Sequence, residues 1–396
     1  MEKKLRIGLF LDSFFPLIDG VCEVVNHYAR ELQAYAQVVV FVPAYPGKPY
    51  DDSTLPYPVV RCASLPVPLI DYNLPVPDLD PVFLRKLKGS DLDLVHIHSP
   101  FTIGKAGIRY AREHGIPVIA TLHSQFRRDF MRAVRNETIA QAMTKQLMKT
   151  FAACDETWTV NKAMLKVMHE DYGYRGVSRV MPNATEMLPV PDRDAACRKI
   201  EERYGIERQD KVFLFVGRLN MLKNVFLIAR SLSFLKARAD FPFKMLFLGS
   251  GQDEKKLRVL IRENGVEDLT IFAGGTRDRD LLAAAYARAD LFLFPSLYDA
   301  SSLVQVEAAS QGTPGVFVEG SATSDTITDD VNGFLSYNDA ELFAQKVLSV
   351  MHDPVKREKA GENARRDLYI QWKDVVQDVY RNYLRILNED TYEAKR

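Results

Sequence analysis

Two cations in the second half of this 396-residue chain have the types and spacing to hold a diphosphate, and two acids stand downstream of them. Arg218 and Lys223 stand five residues apart in VGRLNMLKNV, after the apolar run Val212 to Val216. Two cations just outside the carboxyl end of a strand can clamp a diphosphate and stabilise charge on a leaving group without a metal. An isolated pair of this kind would read as two surface cations, so the stretch downstream decides. That stretch, LFLFPSLYDASSLVQVEAASQGTP, reads as a buried strand, a sharp loop and a short helix, with Asp299 and Glu307 eight residues apart. Ser302 and Gln305 have capping-box spacing, so the helix is expected to begin at Leu303 and end near Gly312. Its N-terminus would leave the carboxyl end of a strand, where open α/β sheets bind ligands and helix amides favour phosphate. Glu307 lies among Val304, Val306, Ala308 and Ala309, so its carboxylate starts from a partly buried surface. Such a group needs donors, and a ribose diol offers two.

Strands and helices must alternate to set these loops in place. Strand candidates recur at Arg6 to Leu11, Gln37 to Val42, Val59 to Cys62, Asp93 to His98, Pro117 to Leu122, Glu156 to Val160 and Arg179 to Met181, with helical patterns between most of them. A second alternation has strands at Val212 to Val216, Lys244 to Leu248, Leu269 to Phe272, Asp290 to Phe294 and Gly315 to Val318. This is the pattern of doubly wound parallel sheets, one in each half of the chain. Turn formers in Pro182 to Pro191 mark the join, giving domains over 1–185 and 186–371 and a helical tail over 372–396. The Pro-rich interval Leu65 to Pro81 excludes a central strand and reads as an ordered loop.

Composition bounds the rest. Hydrophobic residues at 47% suffice for two cores, and 52 basic against 52 acidic residues give no support to a nucleic-acid partner. No apolar stretch is long enough to span a bilayer, and Asp12 interrupts the only leader-like run. Four cysteines without CxxC spacing point to a reduced, cytoplasmic setting, with any membrane contact peripheral at the inner face. GSGQDE lacks the third glycine of a dinucleotide fingerprint, and the P-loop, HExxH and GxSxG motifs are absent.

The Asp299 to Pro314 stretch and the GRL-x-x-x-K loop resemble the signatures of the retaining, nucleotide-sugar-dependent glycosyltransferases of family 4. That family has the GT-B fold, two Rossmann-like domains facing across a cleft. Three positions depart from its pattern: Asp299 where glutamate is usual, Ser302 where glycine is usual, and Asn224 where glycine usually follows the lysine. The resemblance implies catalysis by Arg218, Lys223, Asp299 and His123, the last in VIATLHSQF. It implies a donor held by Glu307 at the ribose, by Ser301, Ser302 and Leu303 at the phosphate or sugar, and by Gly20 in a glycine loop. Backbone at Gly275 and Thr276 would meet the base. The donor would be a UDP-sugar, with no metal or other cofactor. Taken alone, Gly20 is a turn glycine, and a core or capping role competes for His123.

His96 and His98, in LVHIHSPF, are expected to point to opposite faces of a strand and so not to share a metal, with His98 a cleft-lining or hydrogen-bonding residue on the acceptor side and His96 a structural one. The segment Phe126 to Arg135 interleaves apolar residues with arginines; Phe126, Arg127 and Arg128 would lie on the acceptor side. A solvated arginine face over an apolar stripe is the common reading of such a helix, and contact with an anionic membrane the other. HSPFTIGKAG and ATLHSQF look like bacterial enzymes that glycosylate diacylglycerol, which implies a hydroxyl acceptor of glycolipid or diacylglycerol type. A GT-B-type sugar-nucleotide epimerase and a catalytically impaired nucleotide-sugar binding protein remain as alternatives.

Overall fold

A computed structural model describes residues 4–17, 19–48, 50–67 and 72–388. The chain forms two compact units. One runs to Asn183 and includes the helix that starts at Trp372; the other runs from Ala184 to Gln371.

The elements of the first unit are β1 (Arg6–Phe10), α1 (Gly20–Leu32), β2 (Gln37–Pro43), β3 (Val59–Cys62), β4 (Ser64–Pro66), β5 (Asn73–Pro75), α2 (Pro81–Lys88), β6 (Leu94–Ile97), α3 (Thr102–His114), β7 (Val118–Leu122), α4 (Phe126–Val134), α5 (Glu137–Phe151), β8 (Glu156–Thr159), α6 (Lys162–Lys166) and β9 (Ser178–Val180). Seven strands make a parallel sheet in the order β3-β2-β1-β6-β7-β8-β9. Helices cover such sheets on both faces, so strands become apolar at successive residues; in β2 every residue after Gln37 is buried. The Pro-rich interval is more than a loop. It contributes to β4 and β5, an antiparallel pair outside the main sheet, where a missing proline N–H breaks no central ladder. Residues 68–71 of the interval lie outside the described residues.

The second unit runs α7 (Arg193–Tyr204), β10 (Lys211–Val216), α8 (Val225–Arg238), β11 (Phe243–Leu248), α9 (Glu254–Glu263), β12 (Thr270–Gly274), α10 (Arg279–Arg288), β13 (Leu291–Phe294), α11 (Leu303–Ser310), β14 (Gly315–Val318), β15 (Phe334–Ser336), α12 (Ala340–Met351) and α13 (Pro354–Leu368). Its sheet order is β12-β11-β10-β13-β14-β15, all parallel, around fully buried Phe213, Phe215, Phe247 and Phe292. Both sheets thus reverse their winding direction in the middle, between β1 and β6 in one unit and between β10 and β13 in the other. Loops leaving the two carboxyl ends at such a point diverge, and the crevice between them is where ligands bind in this architecture.

The tail helix α14 (Trp372–Asn388) packs on α1. Its apolar stripe, Trp372, Val375, Val376, Val379, Tyr383 and Ile386, is buried, at about 1.5–3 kcal/mol for each large side chain. Tyr383 Oη lies 2.6 Å from His96 Nδ1, Trp372 stacks on His27, and Arg385 pairs with the buried Glu156. No helix among the described residues is long and apolar enough to cross a membrane.

Candidate active site

In the second unit the loops after β10 and β13 meet at the point where the sheet reverses. The first carries exposed Arg218 and ends in a short turn, Met221–Lys223, whose cap Asn220 accepts from the Lys223 N–H at 3.1 Å. Asn224 follows with φ 56°, the left-handed conformation that glycine adopts freely and asparagine tolerates. The asparagine adds what glycine lacks: its amide donates to the Pro295 carbonyl at 3.1 Å and to Asn338 Oδ1 at 2.9 Å. It therefore ties the cationic loop to the loop after β13. Across this junction Lys223 Nζ lies 2.5 Å from Asp299 Oδ1, with side-chain exposures of only 18% and 16%. The same ammonium sits 5.5 Å from the centroid of the Phe294 ring. The glycines of GSGQDE have a packing role. A Cβ on Gly249 would lie 1.9 Å from the Gly217 carbonyl oxygen, and one on Gly251 would lie 2.3 Å from that of Leu219. They let the loop after β11 press against the loop that carries Arg218.

The helix α11 begins at Leu303, but the expected capping box does not form. The Ser302 side chain makes no cap hydrogen bond, and Gln305 instead donates from Nε2 to Thr326 Oγ1 at 3.0 Å. Ser301, Ser302 and Leu303 thus stand at the N-terminal end of a helix whose N-cap side chain makes no cap hydrogen bond. Gly275 lies where a Cβ would come 3.3 Å from Ser250 Oγ, and Thr276 Oγ1 accepts from the Asp278 N–H at 3.0 Å to shape the turn into α10.

Glu307 is buried, at 6% exposure, in one turn of α11. Tyr286 donates its hydroxyl to Oε2 at 3.1 Å, and Arg279 Nη1 lies 2.9 Å from Oε1. Burial pushes the Glu307 pKa up, and the Arg279 guanidinium opposes that shift. Arg279 also reaches Glu186 at 3.5 Å. Sequence reasoning singled out neither Arg279 nor Tyr286. The available signal was their spacing, seven residues, which places both on one face of a helix, together with the counter-charge that an acid in an apolar helix requires.

In the first unit, Asp19 caps α1, accepting from the Cys22 N–H at 2.8 Å, and Gly20 is the first helical residue, with open space where a Cβ would stand. His123 follows the carboxyl end of β7 and His98 that of β6. The structure brings these two together: His98 Nδ1 and His123 Nε2 are 3.0 Å apart. His96 and His98 do not point to opposite faces; their ring centroids are 4.1 Å apart. Extended chain returns to the same face every second residue, so neighbours at i and i+2 share a side. Both nitrogens of His96 are engaged, by Tyr383 and by Thr121 Oγ1 at 2.7 Å, so it is a structural residue. Burial holds the His96 and His98 pKa values well below the ordinary imidazole range and His123 at about 4.

The arginine-rich segment forms α4 with Phe126 buried. Arg127 pairs with Glu137, its Nε 2.8 Å from Oε1, and Arg128 is exposed. Beside α4 and α5 an apolar groove of about 510 Å³ is lined by Phe101, Phe130, Ile139, Met143 and Leu147 among others.

Comparison with known proteins agrees with this architecture. Residues 18–187 match the model of Glycosyltransferase Family 4, and residues 198–367 match that of Glycosyl transferases group 1. The chain is 24% identical to the alpha-monoglucosyldiacylglycerol synthase of Streptococcus pneumoniae, over 85% of this chain and 76% of that protein. It is 27% identical to a GDP-mannose-dependent alpha-mannosyltransferase of Mycolicibacterium smegmatis, over 98% of this chain and 100% of that one. Anabaena HepE, crystallised with UDP-glucose, superposes with a TM-score of 0.75 at 17% identity, over 96% of this chain and 100% of that one; at that identity the likeness is one of fold. Two parallel Rossmann-like sheets, each wound from its centre, and two family matches that cover most of the sequence lead to one conclusion: the chain belongs to the family 4 glycosyltransferases and has the GT-B fold.

Proposed function

We propose that this glycosyltransferase moves a hexosyl group from a UDP-sugar to the hydroxyl of a membrane glycerolipid, with retention of configuration and without a metal. The observation that carries the reading is the junction of the loops after β10 and β13, where Lys223 pairs with Asp299 just before α11 and Arg218 stands in the same loop as the lysine. A diphosphate there meets two cations and a helix dipole, which favour the charge that develops as the sugar departs. Lys223 would exchange Asp299 for phosphate oxygens, and the released carboxylate would turn to the sugar. Glu307, held by Tyr286 and Arg279, has lone pairs left for the ribose diol. The base would lie against the backbone of Gly275 and Thr276. The acceptor oxygen would attack from the face the sugar leaves, with its proton passing to the departing phosphate. His123 would contact the transferred sugar as a neutral hydrogen-bonding group, since burial holds its pKa at about 4.

Two observations favour a lipid acceptor. The S. pneumoniae relative is by its name a diacylglycerol glucosylating enzyme whose product is alpha, which also accords with retention from an α-linked donor. The groove along α5, with arginines on the neighbouring α4, offers an acyl chain an apolar bed at an anionic, cytoplasmic membrane face. The test is to incubate the protein with UDP-, GDP- and ADP-sugars, with and without diacylglycerol in mixed micelles, and to follow nucleotide release and product mass. Acceptor-dependent release of UDP with an α-linked glycolipid is the expected result. Interconversion of the sugar without release would mean an epimerase, and saturable binding with neither would mean an impaired binding protein.

A further inference from the structure

We propose that His98 is a positioning residue that fixes His123 in the tautomer protonated on Nδ1, so that His123 offers an N–H donor of set direction to the transferred sugar. The inference rests on the sugar-facing role of His123 proposed above. Its evidence is the 3.0 Å contact between His98 Nδ1 and His123 Nε2, together with the other nitrogen of His98. His98 is 2% exposed, and its Nε2 is buried without a hydrogen-bond partner among the described residues. The rings of His96 and Tyr28 pack against it, 4.1 and 5.4 Å away between centroids.

Between two neutral imidazoles one nitrogen must donate and the other accept. If His123 donated from Nε2, His98 would accept at Nδ1, and its single proton would have to sit on Nε2. That proton would be a buried N–H with nothing to bond. If instead His98 donates from Nδ1, only a ring lone pair is left bare at Nε2. Orphaned buried N–H groups are the rarer fault in folded proteins, because an unpaired donor forfeits its hydrogen bond outright. The second arrangement therefore holds. His123 Nε2 is then the acceptor, and its own proton is confined to Nδ1. The sheet enforces the pairing: β6 and β7 are adjacent parallel strands, and both histidines leave their carboxyl ends.

The tautomers can be read directly in the full-length protein. In long-range proton–nitrogen spectra of ¹⁵N-histidine-labelled protein at neutral pH, His123 should show a protonated Nδ1 and a bare Nε2, and His98 a protonated Nδ1. A His123 protonated on Nε2 overturns the proposal. Kinetics supply the second reading. His98→Phe, which removes the donor but keeps a ring, should lower kcat about tenfold or more while the donor KM stays within about twofold. His98→Asn, whose side-chain amide can stand near the Nδ1 position, should restore most of kcat and the His123 signature. Equal loss in both variants, or full activity of a folded His98→Phe, counts against positioning. If the tautomers are as described but His123→Ala transfers sugar at the full rate, the proposed role of His123 fails while the His98 assignment stands.

Discussion

Lys223 Nζ and Asp299 Oδ1 are 2.5 Å apart, so the lysine offered to a diphosphate is held by an internal carboxylate 76 positions along the chain. An acid one methylene shorter than the family's glutamate here reaches the ammonium rather than open solvent.

Freeing the lysine should therefore separate binding from turnover. Asp299→Asn is expected to bind UDP roughly three- to tenfold more tightly, by titration calorimetry, while kcat falls. Lys223→Ala should lower kcat by roughly 10²–10³-fold, as loss of one preorganised charge at a leaving group does. Unchanged UDP affinity in Asp299→Asn would show that the pair does not compete with the ligand.

Glu307 depends on two residues of α10. Glu307→Ala should raise the donor KM strongly. Arg279→Ala and Tyr286→Phe should each raise it by about three- to tenfold, the equivalent of one hydrogen bond of about 1 kcal/mol. Steady-state kinetics at saturating acceptor measures this, and an effect confined to kcat would place Glu307 elsewhere in the mechanism.

The histidine cluster sets an acid limit. His96, His98 and His123 have folded pKa values below that of an unfolded imidazole, about 6.5. Below that pH the unfolded chain takes up protons that the folded chain refuses, so stability is full above about pH 6.5 and declines as pH falls toward 4. Melting temperatures measured from pH 7.5 to 4.5 should fall with acid, and less steeply in His98→Asn.

The tail helix should be needed by the first unit alone. A chain ending at Gln371 would expose the partners of Trp372, Val376 and Tyr383, and limited proteolysis should then degrade residues before Asn183 while sparing the second unit. Tyr383→Phe, which leaves His96 Nδ1 without its partner, should cost about 1–3 kcal/mol in denaturant unfolding.

Ile139 and Met143 are exposed on α5, so Ile139→Glu with Met143→Glu should leave folding within about 0.5 kcal/mol per site. Transfer to diacylglycerol in anionic vesicles should fall several-fold, and transfer to a short-chain soluble acceptor should be unchanged. Equal loss with both acceptors would remove the groove from acceptor binding.

Periodicity and local signals alone determined much of this protein. Apolar runs such as Leu291 to Phe294, too short for a helix and closed by Pro295, read as strands covered on both faces, and their alternation with helices points to parallel sheets. The loops bearing Arg218, Lys223 and Asp299 were legible because two stretches after strand ends resemble the family's signatures together; alone, the cations read as surface charges. Contacts between distant segments were decided only in three dimensions. The Lys223–Asp299 pair, the Arg279 and Tyr286 support of Glu307 and the loop tie through Asn224 each join residues that local spacing does not link. The capping box at Ser302 failed for the same reason: Gln305 found Thr326 from another segment. Side-chain partners in a packed core are chosen by the folded backbone, which sets which strand lies beside which, and so it was sheet order that placed His98 against His123.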